Sequence, residues 1–165
     1  MGKATRWSEM SVMVRKARLE DAAGIYAVEQ ESFSIPWSLS SIQHELAHSD
    51  LTMYYVLEDD SGTIAGYAGL WHVLDEGQIT NIALLKAYRR QGYGELLLRV
   101  LMEEAWKKKC MNIFLEVRFS NIAAFALYQK LGYEVISVRK QYYSKPVEDA
   151  YVMGCKKEKY QQSGQ

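Results

Sequence analysis

Residues 79–97 read ITNIALLKAYRRQGYGELL, and this stretch decides the fold. The residues up to 85 are apolar and partly β-branched, as in a strand, whereas from Gly92 apolar residues recur at a spacing of four, which predicts an amphipathic helix to about residue 109. An Arg-x-x-Gly-x-Gly loop, starting at Arg89, joins them. Because glycine lets the main chain approach a ligand and a helix N-terminus carries about half a positive charge, the unit predicts an anion site suited to pyrophosphate.

The loop matches neither of the two common phosphate motifs, G-x-G-x-x-G and G-x-x-x-x-G-K-[ST], so a dinucleotide fold and a P-loop NTPase do not fit. Two glycines alone would be more typical of a plain turn. The strand before them and the helix directly after them favour the anion site.

The rest of the chain alternates strand-like and helix-like segments. Strands are predicted at residues 12–17, 53–57, 64–73, 78–85, 112–117, 133–139 and 150–156, with a loop at 144–149, and helices begin near residues 20, 38, 92 and 121. With 165 residues, this order predicts one α/β (α+β) domain with a mixed sheet, over residues 12–157. Residues 1–11 and 158–165 are predicted to be flexible tails.

Composition excludes several functional classes. The 20 basic and 20 acidic residues give a net charge of zero, which lacks the long-range field that a nucleic-acid binder normally uses and argues against DNA, although a local basic patch stays possible. Cys110 and Cys155 have no partners at metal-ligand spacing, so we predict no metal and two buried thiols in a reducing cytoplasm. No apolar run is long enough to cross a membrane.

Further motifs, taken together, resemble one family. They are residues 81–84 (NIAL), 115–118 (LEVR), 120–124 (SNIAA), 127–128 (LY), 131–133 (LGY), 142–143 (YY) and 148–150 (EDA). With the Arg-x-x-Gly-x-Gly loop, they are similar to the GNAT acetyltransferase superfamily, and within it to the RimI family of bacterial acetyltransferases that modify the N-terminus of a ribosomal protein. The resemblance implies a mostly antiparallel mixed sheet with splayed central strands, helices on both faces, and acetyl-CoA as co-substrate.

The same resemblance implies a cofactor site. The strand at Ile82, Ala83 and Leu84 would pair with the pantetheine arm, and the Leu84 N–H would polarise the thioester carbonyl and stabilise the oxyanion. The remaining cofactor residues, chiefly through main-chain donors around the pyrophosphate, would be Arg89, Arg90, Gln91, Gly92, Tyr93, Gly94 and Glu95, with Asn121 on the opposite side.

Acetyl transfer to an amine needs a base for the amine and an acid for the departing thiolate. Glu116 interrupts an apolar strand, which by itself also fits a solvated residue, but the resemblance makes it the general base, acting directly or through water. Tyr128, on the helix from residue 121, could equally be a core tyrosine, and the resemblance makes it the acid.

An N-terminal α-amine titrates at about 7.7–8.0 and a Lys side chain at about 10.4, so a lone Glu suffices as base for the former. The acceptor groove is expected between the loop at residues 34–37 and the hairpin at residues 139–149. Its predicted residues are Glu29, Trp37, Tyr142 and Tyr143, although Glu29 also fits a solvated helix position and the tyrosines also fit plain strand propensity.

Three functions remain open from the sequence. The first is acetylation of a protein N-terminus, namely the alanine N-terminus of a small-subunit ribosomal protein, without direct contact with nucleic acid or membrane. The second is acetylation of a small amine such as a polyamine or an aminoglycoside, and the third is a catalytically silent acyl-CoA-binding module. The oligomeric state does not follow from the sequence.

Overall fold

The computed structural model describes residues 11–48 and 50–161, and over these residues the chain forms one seven-stranded sheet with four helices. The strands are β1 (Val12–Lys16), β2 (Thr52–Asp59), β3 (Ile64–Val73), β4 (Glu76–Leu84), β5 (Asn112–Arg118), β6 (Glu134–Ser144) and β7 (Val147–Lys156). The helices are α1 (Ala22–Ser32), α2 (Leu39–Ala47), α3 (Tyr93–Lys107) and α4 (Ile122–Leu131). The spatial order is β1-β2-β3-β4-β5-β7-β6.

The central strands separate along their length. Every neighbouring pair is antiparallel except β4 and β5, which run parallel and pair only from Glu76–Asn112 to Gln78–Phe114. Beyond Gln78 the two strands diverge, so a gap opens toward their carboxyl ends. The prediction of a mostly antiparallel mixed sheet with splayed central strands is confirmed.

Helices cover both faces of the sheet, as predicted. Leu97 and Leu101 of α3 are fully buried in one apolar cluster with Leu131 at the end of α4. Ile25 of α1 and Ile42 of α2 are buried in a second cluster. Burying one such side chain stabilises a fold by about 1.5–3 kcal/mol, so these two clusters fix the helices that flank the gap.

The last hairpin is longer than the sequence predicts. Strands β6 and β7 leave only residues 145–146 between them, whereas residues 144–149 were expected to form a loop. A bulge lies between Arg139 and Tyr143, where Gln141 adopts φ 50° and donates its N–H to Asp149 Oδ1 at 2.8 Å. The tip of the hairpin, at residues 145–146, lines the gap together with the loop after α1.

The first residues of the predicted C-terminal tail pack against the domain. Residues Lys157–Lys159 form a 3-10 turn, and the Tyr160 ring packs on Trp106 with centroids 6.1 Å apart. The Tyr160 hydroxyl donates to Glu103 Oε2 at 2.9 Å, and Gln161 N–H donates to the Leu131 carbonyl at 2.9 Å. Because Tyr160 is a single aromatic residue that follows several lysines, the sequence carries no signal for this packing. Residues 162–165, and residues 1–10 of the predicted N-terminal tail, lie outside the described residues.

Candidate active site

The gap between β4 and β5 opens into a cleft of about 1100 Å³. Walls come from α1 and the loop after it, from β4 and β5, from the start of α4, and from the β6–β7 hairpin. Eight residues predicted from the sequence line this cleft: Glu29, Trp37, Ile82, Glu116, Asn121, Tyr128, Tyr142 and Tyr143. The other predicted residues, Ala83, Leu84, Arg89, Arg90, Gln91, Gly92, Tyr93, Gly94 and Glu95, are not among its lining and continue from the end of β4 into α3.

The start of α3 presents free main-chain donors. Gly92 caps the helix at φ 86°, a left-handed conformation that glycine adopts without strain, and Arg90 has φ 63°. The first helical hydrogen bond runs from Leu96 N–H to the Gly92 carbonyl at 3.1 Å. Within the described part of the chain, the six N–H groups from residue 90 to residue 95 have no main-chain or side-chain acceptor. The chain therefore offers an anion a cluster of N–H donors at a helix N-terminus.

Side chains around this cradle are engaged elsewhere. The Glu95 carboxylate forms ion pairs with Arg99 and Lys130, each at 2.9 Å. Arg89 Nε donates to the Leu84 carbonyl at 3.0 Å, and Gln91 donates to the Ala87 carbonyl at 3.0 Å. The predicted reliance on main-chain donors agrees with this arrangement.

Beyond Gln78, where β5 no longer pairs with β4, alternate main-chain groups of β4 face the gap. Leu85 N–H donates to the Ala65 carbonyl at 2.8 Å, and Ala83 faces Tyr67 in the same ladder. Because hydrogen-bonded and non-hydrogen-bonded pairs alternate in antiparallel strands, Leu84 and Ile82 turn their N–H groups away from β3. These groups face the side where β5 has diverged, and an extended ligand could pair with them as an added strand.

Glu116 projects from β5 into the cleft, with its side chain 16% exposed. Gln78 Nε2 donates to Glu116 Oε2 at 3.0 Å, and Arg139 Nε lies 3.9 Å from Glu116 Oε1. Two strands thus fix this carboxylate at the point where the sheet opens. Glu116 is therefore not a solvated strand residue.

Tyr128 reaches the same cleft from α4 and is 6% exposed. Burial, and then the neighbouring Tyr143, raise the pKa of the Tyr128 hydroxyl well above its ordinary value. The hydroxyl therefore carries its proton at neutral pH, as a proton donor must. Its ring packs against Tyr133, with centroids 5.7 Å apart.

Glu29 is buried on the opposite wall, only 1% exposed, so a solvated helix position is ruled out. Its Oε1 accepts a short hydrogen bond from the Tyr67 hydroxyl and one from Asn81 Nδ2 at 2.6 Å. Burial raises the pKa of Glu29, opposed by hydrogen bonds from Tyr67, Asn81 and the Trp37 main chain.

The two predicted walls of the acceptor groove meet. Ser34 Oγ donates to the Lys145 carbonyl at 2.7 Å, which joins the loop after α1 to the tip of the β6–β7 hairpin. Tyr142 and Tyr143 pack edge to face on that hairpin, and the Arg118 guanidinium lies 4.1 Å from the centre of the Tyr143 ring. An incoming chain would therefore meet an aromatic wall that is held in place.

Sequence reasoning missed several residues of this site: Tyr67, Gln78, Asn81, Arg118 and Arg139. Asn81 and Arg118 lie inside quoted motifs, and a polar residue in an apolar strand was a signal for them. Gln78 and Arg139 carry no local signal, because their role depends on which strand faces Glu116.

Two findings concern other kinds of site. Among residues 11–48 and 50–161, no group of three or more His, Cys, Asp or Glu side chains is placed to hold a metal ion. None of the helices formed by those residues has the length and apolar character needed to cross a membrane.

Comparison with known proteins agrees with this geometry. The model of the Acetyltransferase (GNAT) family matches residues 22–133. A Bacillus subtilis (strain 168) protein, provisionally named a ribosomal protein bS18-alanine N-acetyltransferase, is 44% identical over 140 residues, covering 85% of this chain and 92% of the relative. The Escherichia coli (strain K12) ribosomal protein bS18-alanine N-acetyltransferase is 36% identical over 135 residues, covering 81% and 89%.

A solved structure is similar over almost the whole chain. The crystal structure of the ribosomal-protein-S18-alanine N-acetyltransferase from Escherichia coli superimposes with a TM-score of 0.82 at 31% identity, covering 93% of this chain and 97% of that one. The chain therefore belongs to the GNAT acetyltransferase family. Enzymes of this family use acetyl-CoA, and the free N–H groups at residues 90–95 and the unpaired edge of β4 fit its pyrophosphate and its pantetheine arm.

Proposed function

We propose that this protein transfers the acetyl group of acetyl-CoA to the α-amine of the N-terminal alanine of ribosomal protein bS18. One observation carries the proposal: the diverging strands bring Glu116 and Tyr128 into one cleft beside the free edge of β4. The relatives named for that reaction cover four fifths or more of the chain and support the choice of acceptor.

The cofactor site comprises the unpaired edge of β4 and the N-terminus of α3. Bound acetyl-CoA supplies the acetyl group as a thioester. The N–H groups at residues 90–95 hold the diphosphate, the edge at Ile82 and Leu84 pairs with the pantetheine arm, and Asn121 borders the cleft from the side of α4. In this proposal, the Leu84 N–H polarises the thioester carbonyl that reacts.

Glu116 is the general base of the proposal. Its carboxylate, held by Gln78, accepts the proton of the acceptor amine directly or through one water. Because an α-amine is far more often neutral at pH 7.5 than a lysine side chain, a single carboxylate is sufficient as base. This fits protein N-termini better than internal lysines.

Tyr128 is the general acid. A tyrosine hydroxyl is protonated at neutral pH, and Tyr128 lines the same cleft as Glu116, so it can give the proton that the departing thiolate needs. Its burial also excludes bulk water from competing at that position.

Glu29 binds the acceptor amine on the opposite wall. Tyr67 and Asn81 fix its orientation, and Trp37, Tyr142 and Tyr143 border the path along which the acceptor chain leaves the cleft. The Ser34 loop and the hairpin both line the cleft, so an extended polypeptide N-terminus would run along these walls.

The test is an acetylation assay on synthetic peptides. The protein is incubated with acetyl-CoA and a peptide that carries the alanine N-terminus of bS18, and CoA release and peptide mass are followed. We expect acetylation of the α-amine and none of the same peptide with its α-amine blocked. Acetylation only of polyamines or aminoglycosides would support the small-amine alternative, and tight CoA binding without turnover would support a binding module.

Because the proposed acceptor is a ribosomal protein, we propose a cytoplasmic location. Fractionation of cells that express the tagged protein should then recover it with the cytosol and ribosomes rather than with the membrane fraction.

A further inference from the structure

A second pocket, of about 470 Å³, adjoins the acceptor groove and has no part in the reaction proposed above. We call it the indole pocket, and its lining is Trp37, Ser40, Ser41, His44, Glu45 and Trp71. Trp37 and Trp71 line both the indole pocket and the main cleft, so the two spaces share a wall.

The chemistry of the indole pocket favours a cation. Glu45 is the one residue of its lining with a formal charge at neutral pH when His is neutral, and that charge is negative. Trp71 is 46% exposed, so an indole surface is available to a ligand. Indole rings attract guanidinium and ammonium groups through their negative faces, and a carboxylate beside them adds charge complementarity.

Glu45 is held in a defined orientation. Its Oε1 accepts hydrogen bonds from the Trp71 indole N–H and, at 3.0 Å, from the Tyr54 hydroxyl. Its Oε2 accepts none from the residues that the structure describes, so one carboxylate oxygen remains open to a ligand donor. The neutral donors on Oε1 leave the negative charge of Glu45 uncompensated.

The two sides of the cleft mouth differ in charge. On the hairpin side lie Lys145 and Arg139, of which Arg139 pairs with Glu116, while the α2 side carries Glu45. A cationic side chain that follows the acceptor amine is repelled by the first side and attracted by the second. An acidic side chain would instead be attracted by the hairpin side and repelled by Glu45.

We propose that the indole pocket binds a Lys or Arg side chain of the acceptor polypeptide, a few residues after its N-terminal amine. This inference rests on the proposed function, because it assumes that the acceptor is a polypeptide in the main cleft. A cationic side chain at a fixed distance from the reacting amine would then select one alanine N-terminus among many.

The test is a series of alanine-starting hexapeptides in which a single Arg moves from the second to the fifth position of an otherwise neutral sequence. Each is compared with the peptide that has citrulline, the neutral isostere, at the same position. At one position we expect the KM of the Arg peptide to be roughly tenfold lower, with kcat little changed. Glu45→Gln should remove that difference, while Glu104→Gln, which removes an equal charge on α3, should preserve it.

Equal KM values for Arg and citrulline at every position, or a preference that survives Glu45→Gln, would overturn the inference. Binding measured by calorimetry, with CoA present and without turnover, keeps the two proposals separate. If no peptide is acetylated, the proposed function fails, while an Arg preference in binding that Glu45→Gln abolishes still supports the indole pocket. If peptides are acetylated without regard to charge, only the indole pocket fails.

Discussion

Gln78 Nε2 donates to Glu116 Oε2 at 3.0 Å, from the last residue of β4 that is still paired with β5. One residue later along β4, the strands separate. The hydrogen bond therefore ties the carboxylate to the origin of the cleft, where the geometry of the sheet is best fixed. In the proposed reaction, Gln78 is a positioning residue for the base.

Replacing Glu116 with Gln should lower kcat by about 100-fold or more, because general-base catalysis typically contributes that much. Gln78→Ala should lower kcat by about tenfold while the KM for acetyl-CoA stays unchanged, since the base is present but less well oriented. Steady-state CoA release measures both. The exposed Gln129→Ala on α4 is the control, and equal kcat in the Gln78 and Gln129 variants would refute the positioning role.

Two buried tyrosines in ring contact form a matched pair for testing the acid. Tyr128→Phe removes the proposed proton donor and should lower kcat by about 10- to 100-fold at unchanged thermal stability. Tyr133→Phe removes a buried hydroxyl that has no hydrogen-bond partner among the described residues, so it should keep activity and leave stability equal or up to about 1 kcal/mol higher. Thermal melts and steady-state kinetics distinguish the two variants. A Tyr128→Phe enzyme with full kcat would exclude Tyr128 as the general acid.

Gly92 and Gly62 form a second pair, with φ values of 86° and 88°. Alanine at either position is strained in the left-handed region, at a cost of about 1–2 kcal/mol of stability. Only Gly92 lies at the N-terminus of α3, so Gly92→Ala alone should raise the Kd for CoA, by roughly tenfold, in a calorimetric titration. Nothing lies within 4 Å of a Cβ built on Gly62, so any effect of Gly62→Ala comes from strain. A similar loss of CoA affinity in both variants would mean that strain, and not the N–H cradle, is responsible.

The buried carboxyl of Glu29 predicts a pH-dependent stability. Burial raises its pKa above the ordinary 4.5, so the folded state holds the proton more tightly than the unfolded state does. The stability that this proton contributes is complete below the unfolded pKa and is lost as the pH rises through the raised folded pKa. Glu29→Gln lacks this loss, so its free energy of unfolding should rise relative to wild type from pH 4 toward pH 8.

Urea unfolding at several pH values measures the Glu29 effect, and a difference that stays constant with pH would contradict it. The same variant should bind the acceptor peptide more weakly, because the neutral amide no longer attracts an ammonium group. The KM for acetyl-CoA should be unchanged, which separates a defect in the acceptor groove from a general loss of structure.

Local patterns of the sequence were sufficient for the elements of the fold and for the cluster of N–H donors at the start of α3. The strand at residues 78–85, the glycines at 92 and 94 and the amphipathic α3 follow one another in the chain, so their spacing alone predicts N–H donors at a helix N-terminus. The C-terminal turn was missed because a single aromatic residue, Tyr160, among lysines gives no periodic signal.

By itself, the sequence determined the order of strands and helices, the cradle at Gly92 and the residue types available for acid and base chemistry. Only the tertiary structure decided that Glu29 is buried against Tyr67 and Asn81, that Gln78 holds Glu116, and that Glu45 accepts a hydrogen bond from the Trp71 indole. The physical reason is that each of these contacts joins side chains from different elements. Such contacts form only when the strands of the sheet have paired and β4 and β5 have separated. The spacing of residues along the chain does not predict them.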